Sequence, residues 1–548
     1  MCAARSARAN DAPGRPDPAA GTAAAAAAEP APSANPTQTN PRGSDRYGRR
    51  HRPTTHQPCR FGGPPREVPT IPTINPADRR ALDRAARLRQ LSEVDQDVIR
   101  LAQDPQFPRF LEQITATGGC AHPVHLSGSA TTRDVATGEV LHHYDTRTEP
   151  GERLSVRCRN RRASVCAPCS RLHAGDTFHL VRTGLTGGKN IPAQIREHPR
   201  LFVTLTAPSF GSVHRATTGG QRCHPRRNAG TCEHNRPVSC GTAHDPAASV
   251  VGQPLCPGCY DYPAHALWHA HAGQLWDRFT RATRRTLATA VGLPQARFRD
   301  HARLSFAKVA EYQKRAAVHV HAVVRLDGPN GPHTPPPAWA TPVLLTRAVR
   351  TAARSVFVRS PYSPAVGELE LRWGNQLDAR PLRAFGDTEG LADDAVAAYI
   401  AKYVTKGASD TAAGTDYRVM TWGDIDAAAV SPHIRALMRA CWRLSGLPEY
   451  EPLRLRAWAH TLGYRGHILT KSRAYSTTYT ALRTERADHE RAGLPVPDTS
   501  KVITDAHWRY LGSGHTPGAS LIAAGIAEDL AMNRAVARDE LRERGGCL

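Results

Sequence analysis

The run Val318-His319-Val320-His321-Ala322-Val323-Val324 strongly restricts what the chain around it can become. A strand sends successive side chains to opposite faces, so Val318, Val320, Ala322 and Val324 lie on one side and both histidines on the other. The valine side needs a core to cover it, and β-branched residues at this density favour a strand over a helix. Leu304 to Gln313 reads as a partner strand and Lys314-Arg315-Ala316 as the turn, which predicts a β-hairpin ending near Leu326. Two imidazoles projecting side by side are spaced to share one divalent cation. Glu311 is the nearest carboxylate able to join them, and it falls on the histidine face only if the turn holds an odd number of loop residues. The same alternation also describes two half-exposed histidines with no ligand, so the hairpin alone leaves both readings open.

A second element carries chemistry of another kind. Leu391 to Lys406 reads as a helix, with Asp393 and Asp394 in its first turn, Lys402 and Lys406 at its end and Gly407 as its stop. Tyr399 and Tyr403, four residues apart, share one helical face, and each has a lysine three residues on. A phenol ionises near pH 10, so a tyrosine nucleophile gains from a nearby cation or metal ion. Its phosphotyrosine ester keeps the energy of the phosphodiester bond it breaks, and the strand can be rejoined without ATP. The alternative is a pair of core tyrosines on an amphipathic helix. The helix does not choose between Tyr399 and Tyr403, with a slight lean to Tyr403 as the one nearer its end.

Cysteines supply a third signal. Cys120 with Cys158-x7-Cys166-x2-Cys169 makes one set of four, and Cys232-x7-Cys240-x15-Cys256-x2-Cys259 makes another. A CxxC knuckle with two further cysteines at loop distances is what tetrahedral Zn²⁺ requires, so two structural zinc sites are expected. His224, His234 or His244 could replace one cysteine of the second set. A full thiolate shell has no open position, which assigns these sites to holding the fold rather than to cleavage. A redox CxxC would need a thioredoxin-like setting, and none is visible here.

Charge narrows the class of partner. Lys plus Arg number 72 against 49 Asp plus Glu, a formal charge of +23, which suits a polyanion. No run is long and apolar enough for a spanning helix and no apolar signal core opens the chain, so DNA is expected rather than a membrane, in the cytoplasm. Arg157, Arg159, Arg161 and Arg162 surround the first knuckle. Arg465, His467, Lys471, Ser472, Arg473, Tyr475, Ser476, Thr477 and Thr478 mix cations with hydroxyls, and Arg465, Lys471 and Arg473 are the DNA-contacting candidates. Gly184 to Asn190 mimics a phosphate loop but lacks its spacing and its Ser/Thr, so no nucleotide cofactor is expected.

Residues 1–75 are Ala-, Pro- and Arg-rich without apolar periodicity and are expected to be a disordered tail. Order should begin at Asn75-Pro76, and a helix is expected from Ala264 to Val291. A core over 76–410 would carry two zinc-ribbon-like insertions, at about 120–170 and 223–260. Residues 411–548 read as a helical accessory DNA-binding region, with Trp422, Trp442, Trp458 and Trp508 available for a core of its own.

Taken together, Phe202-Val203-Thr204-Leu205-Thr206, His319-Val320-His321 and Tyr399-x3-Tyr403 resemble the three ordered motifs of the HUH endonucleases that initiate rolling-circle replication. Cys158-Arg-Asn-Arg-Arg-Ala-Ser, Leu255-Cys256-Pro-Gly-Cys259-Tyr-Asp-Tyr, Glu311 to Asp327 and Gly463-Tyr-Arg-Gly-His467 look like replication initiators of actinobacterial plasmids and integrative conjugative elements. The resemblance implies an α+β fold built on an HUH-type five-stranded antiparallel sheet with flanking helices. It implies Mg²⁺ or Mn²⁺ on His319, His321 and Glu311, attack by Tyr399 or Tyr403, and assistance from Lys402 or Lys406. It further implies a nick in origin DNA, a 5′-phosphotyrosyl intermediate, a free 3′-OH, and a helicase and polymerase supplied by the host. A relaxase or transposase would share this chemistry, whereas a zinc-ribbon regulator without catalysis would share only the cysteines.

Overall fold

The computed structural model describes residues 75–227, 230–382, 393–405, 415, 417–490 and 501–543. Helices α1 (Pro76–Gln90), α2 (Glu93–Ala102) and α3 (Phe107–Ala116) come first, then strands β1 (Val124–Asp134), β2 (Val140–Asp145) and β3 (Leu154–Val156), helix α4 (Ala167–Thr186) and strand β4 (Arg200–Leu205). The long helix α5 (Tyr262–Ala290) and the short α6 (Phe298–His301) lead into the hairpin of β5 (Arg303–Tyr312) and β6 (Val318–Asp327). Helix α7 (Pro342–Ser355) and strands β7 (Phe357–Arg359), β8 (Glu370–Arg372) and β9 (Leu377–Pro381) precede α8 (Asp393–Thr405). The remainder is α9 (Trp422–Ala427), α10 (Pro432–Leu444), β10 (Leu469–Lys471), α11 (Tyr479–Glu490), β11 (Val502–Ser513) and α12 (Pro517–Glu543). The expected tail, residues 1–75, lies outside the described residues except for Asn75. The Asn75 side chain accepts a hydrogen bond from the Ala77 N–H and caps α1.

The central sheet has five strands in the order β10-β5-β6-β4-β9, and every neighbouring pair is antiparallel. This mixed α+β architecture contains the five-stranded sheet that the motifs imply. One face carries Leu201, Val203, Leu205, Val318, Val320, Ala322 and Val324 and packs against residues of α5, α7 and α10. On α5 the buried stripe of Leu267, Trp268, Leu275, Trp276 and Phe279 meets it, each such side chain contributing about 1.5–3 kcal/mol relative to exposure. The Asp261 side chain accepts from the Ala264 N–H and starts this helix, with Pro263 in its first turn.

The opposite, histidine-bearing face is partly apolar and partly ionic. Ala307, Val309 and Val323 pack against Leu180, Val181 and Leu185 of α4 and Val396, Ala397 and Ile400 of α8. Two fully buried arginines also project here. Arg200 Nη1 donates to the Leu185 carbonyl at 2.7 Å and to the Asp393 carboxylate at 3.0 Å, which pins the first residue of α8 to β4. Arg325 Nε donates to Asp327 Oδ1 at 2.6 Å, while Ser305 Oγ donates to Asp327 Oδ2 at 2.6 Å and His198 Nδ1 lies 2.7 Å from Asp327 Oδ1.

Three expectations on organisation need correction. Residues 124–156 form strands β1, β2 and β3, with β11 pairing β1 along its length, so the first cysteine region is only partly loop. The C-terminal region supplies β10 to the central sheet and β11 to the second sheet rather than standing apart as a helical domain. Its tryptophans do not build a separate core: Trp442 packs against the main core, while Trp422 and Trp508 are 37% and 40% exposed. The reason is that Ile434, Leu437, Met438, Cys441 and Leu444 on α10 join the same cluster as α5, so the main core already covers that stripe. The Gly184–Asn190 segment ends helix α4, with Gly187 at φ 84, whereas a phosphate loop opens one.

Burial by itself would raise the Asp327 carboxyl, but its contacts with His198, Arg325 and Ser305 outweigh burial and hold it below the usual carboxylate range. Its stabilising contribution is therefore present above the unfolded pKa of about 4 and lost as pH falls through the lower folded value. Asp327→Ala leaves Arg325 buried without its carboxylate and is expected to cost about 3–5 kcal/mol in urea unfolding at neutral pH. The deficit relative to wild type should shrink as the titration is repeated in acid.

Candidate functional site

The β5–β6 turn decides the site. Gln313 N–H donates to the Ala317 carbonyl at 2.9 Å, closing a three-residue turn, Lys314-Arg315-Ala316, with Ala316 left-handed at φ 64. The odd count places Glu311 directly opposite His319 in the ladder. Glu311 Oε2 lies 3.0 Å from His319 Nε2 and 3.3 Å from His321 Nε2, and the two Nε2 atoms are 3.1 Å apart. These three groups, with ligand atoms all within 4.8 Å of one another, can hold one metal ion.

Neighbouring side chains orient the set. His321 Nδ1 is 3.0 Å from Thr204 Oγ1 on β4, the residue paired across from it, which fixes the ring and leaves Nε2 facing the cluster. The Phe202 ring lies parallel to His321 with centroids 5.8 Å apart. Burial would raise the Glu311 carboxyl, but the hydrogen bonds with His319 and His321 prevail and bring it down to about 2. Burial lowers His321, opposed in part by Glu311. An ionised carboxylate beside a neutral imidazole is the donor state a cation needs.

Helix α8 brings one phenol to this cluster. Val396, Ala397 and Ile400 are buried against the sheet, and the Arg200–Asp393 ion pair anchors the helix start. Tyr399 on the same side reaches in, with its hydroxyl 3.0 Å from His321 Nε2 and its ring edge-on to both His321 and Phe202. Lys402 is exposed on the helix. Lys406 lies outside the described residues, as does the side chain of Tyr403. The structure thus joins residues some 80 positions apart, Tyr399 and the two histidines, that nothing local holds together.

Cysteine and histidine tetrads lie elsewhere. Cys120, Cys158, Cys166 and Cys169 converge as expected, with Cys169 Sγ 3.6 Å from Cys120 Sγ and the Cys158 N–H pointing at Cys120 Sγ at 3.3 Å. The second expected set keeps three of its cysteines, and His234, one of the permitted replacements, stands in for Cys240. Cys232, Cys256 and Cys259 gather with His234, whose Nδ1 is 3.3 Å from Cys259 Sγ. Cys240 instead joins His214, Cys223 and His244, with its Sγ 3.3 Å from His244 Nε2. The cause is a pair of backbone hydrogen bonds between His224 and Cys240, which draw Cys240 beside Cys223 and away from the Cys232 loop. His224 belongs to none of these groups, and its Nε2 sits 2.7 Å from the Val213 carbonyl. His214 and Cys223 were not singled out from sequence, although Cys240-x3-His244 offered the spacing of a knuckle.

The expected phosphate-contacting cluster is mixed. Arg465 and Arg473 are exposed, but Lys471 turns inward and donates to the Ser476 carbonyl at 3.0 Å. Tyr475 and Ser476 are buried, so they do not belong to a DNA-facing surface.

A family model for the replication initiator protein RepSA of pSAM2 matches residues 106–528, a span that contains the Glu311/His319/His321 cluster, Tyr399 and all three tetrads. The chain belongs to the RepSA family of replication initiators. A replication initiator protein from Streptomyces ambofaciens is 48% identical over 461 residues, covering 82% of this chain and 96% of the relative. No solved structure matches the chain. Helices α1 and α2 precede the family match, and α12 runs beyond it. Among the described residues, no helix is long and apolar enough to cross a membrane.

The regrouped tetrads give an outcome that the original pairing of Cys240 does not. Purified protein is expected to carry about three zinc ions by elemental analysis, one per four-ligand shell. Cys240→Ser combined with Cys223→Ser should release one zinc, while Cys240→Ser combined with Cys256→Ser should release two.

Proposed function

We propose that this replication initiator is a metal-dependent, origin-specific DNA nickase and religase that starts rolling-circle replication from a double-strand origin. The observation that carries the reading is the Tyr399 hydroxyl, 3.0 Å from His321 Nε2 at the edge of the Glu311, His319 and His321 cluster. A hydroxyl in that position can attack a phosphate held at the cluster in line with the departing oxygen.

The donor set fits Mg²⁺ or Mn²⁺: one carboxylate oxygen and two imidazole nitrogens converge from one side, leaving the other positions to water and phosphate oxygens. Such an ion, when bound, would withdraw charge from the scissile phosphate. The tyrosine hydroxyl gives up its proton and its oxygen forms a bond to phosphorus as the 3′-oxygen leaves with the electron pair and takes up a proton. The products are a 5′-phosphotyrosyl strand and a free 3′-OH for the host polymerase. Rejoining reverses the step, with the 3′-OH attacking and the phenol leaving. Lys402, with Lys406 four residues further along the sequence, is assigned to charge on the phosphate, and Tyr403 to the second strand transfer. Glu311 would be the carboxylate ligand beside His319 and His321, and Thr204 at His321 Nδ1 keeps that ring's Nε2 turned to the cluster.

The three tetrads are read as structural zinc sites, because four protein ligands leave no place for substrate. Arg465 and Arg473 remain proposed DNA contacts, and Lys471 would have to leave its Ser476 carbonyl to become one. A host helicase is assigned to strand separation, and the protein is placed in the cytoplasm with origin DNA, double- and single-stranded, as its partner.

Incubating the protein with supercoiled origin plasmid and Mn²⁺ should yield nicked DNA carrying covalently bound protein. Tyr399→Phe is expected to lower adduct formation by about 10³-fold or more, and His319→Ala comparably, both with origin binding retained in a gel-shift assay. Undiminished nicking and adduct formation in the Tyr399→Phe, Tyr403→Phe double variant would remove the phenols from the mechanism.

A further inference from the structure

Away from the histidine cluster, a cleft of about 1060 Å³ lies between the first cysteine tetrad and helices α4, α11 and α12. Its lining is chemically one-sided. Arg157, Arg159 and Arg171 enter from the tetrad and the start of α4, Arg483 and Arg486 from α11, and Arg534 and Arg538 from α12. Asp176 is the one carboxylate among the lining residues, and it is buried and already bound by Arg486. Seven guanidiniums against one carboxylate leave the lining net positive, which favours a polyanion.

Local structure holds Arg157 in place. Arg157 Nη2 donates to the Ala116 carbonyl at the end of α3 at 3.2 Å, and the following Gly118 lies against the guanidinium, where a Cβ would come within 2.7 Å of Nη1. Gly118 is left-handed at φ 65, so a side chain there meets both strain and a clash. Arg171 sits two residues after Cys169, so the tetrad that shapes the knuckle also sets the cleft wall.

We infer that this cleft is a binding site for single-stranded DNA, with the arginines on its phosphates and their planar heads against its bases. The shape selects the single strand. A duplex is a convex cylinder read by an element entering its groove, whereas a recess between three helices admits a flexible backbone and excludes a cylinder. Helix α4 supplies the connection to the chemistry. Its first turns line the cleft, and its later residues Leu180, Val181 and Leu185 pack under Val396, Ala397 and Ile400 of the Tyr399 helix. Arg534 and Arg538 lie beyond residue 528, where the family match ends, so part of this wall belongs to this chain's own C-terminal helix. The identity of the strand as the one exposed at the origin rests on the nicking reading; the binding itself does not.

The test measures binding alone. Full-length protein carrying Tyr399→Phe, without added divalent cation, is titrated into a fluorescein-labelled mixed-sequence 20-mer, single-stranded or duplex, by anisotropy between 50 and 200 mM NaCl (about the range over which phosphate contacts show their salt dependence). Adding Arg171→Ala, Arg534→Ala and Arg538→Ala, all at exposed positions, should weaken single-strand binding by about tenfold or more and flatten the log Kd against log salt slope by about 2, at about 0.7 per lost phosphate contact. Duplex affinity should stay within about twofold, and lysines at the three positions should restore most of the slope. An unchanged single-strand slope in a variant with wild-type melting and zinc content overturns the inference. A loss confined to duplex assigns the cleft to double-stranded DNA and overturns it equally. Loss of nicking in the wild-type background with cleft binding intact would sink the nickase reading and leave this one standing.

Discussion

Everything at the histidine cluster depends on the register of one antiparallel hairpin. Slipping β5 against β6 by a single residue would turn Glu311 into the core and leave the two imidazoles without their carboxylate. The turn that sets this register uses a left-handed alanine, Ala316, a conformation costing about 1–2 kcal/mol in an L-residue. The surroundings hold it there. Arg315 donates to the Ala207 and Pro208 carbonyls at 2.8 and 2.7 Å, His433 Nε2 is 3.1 Å from the Arg315 carbonyl, and Lys314 reaches the Pro246 carbonyl. Gly252 comes so close that a Cβ would lie 2.2 Å from the Lys314 carbonyl oxygen. The cysteine- and histidine-rich segment between β4 and α5 therefore braces the hairpin turn, which gives the Cys/His tetrads it carries a physical link to a site they do not join.

Buried charge places the second half of the site. Arg200 and Arg325 are fully buried on the histidine face, and each is matched by an aspartate, Asp393 or Asp327. Apolar side chains could have filled the same space at no loss of stability, but they would not have specified which turn of α8 sits over β4. The Arg200–Asp393 pair does specify it, and Tyr399 stands over His321 as a result.

Much of this was legible from residue order alone because it depends on local periodicity. The hairpin strands, helix α5 and helix α8 follow from period-two and period-3.6 patterns bounded by caps, and they occur within a few residues of where those patterns place them. The first cysteine tetrad was legible because its CxxC knuckle is a local signal. The second was legible except at one position, because Cys240 lies at loop distances from two possible groups and only its backbone pairing with His224 decides between them. Strands β10 and β11 escaped a helical reading because each is paired with a strand more than a hundred residues earlier. Lys471, Tyr475 and Ser476 read as a polar surface, but Tyr475 inserts its ring against Gly184 and takes its neighbours inward with it.

The amino-acid order by itself determined that two histidines share a face, that two tyrosines share a helix, and that the chain is basic enough to seek a polyanion, since each follows from spacing or counting. Tertiary structure alone decided that Tyr399 meets His321, that three of the chain's histidines and five of its cysteines sort into two tetrads besides that of Cys120, and that seven arginines from separate elements face one cleft. Those outcomes require distant segments to be brought within a few ångströms of one another, and it is the burial of the two sheet faces, together with the ion pairs between them and their helices, that brings them there.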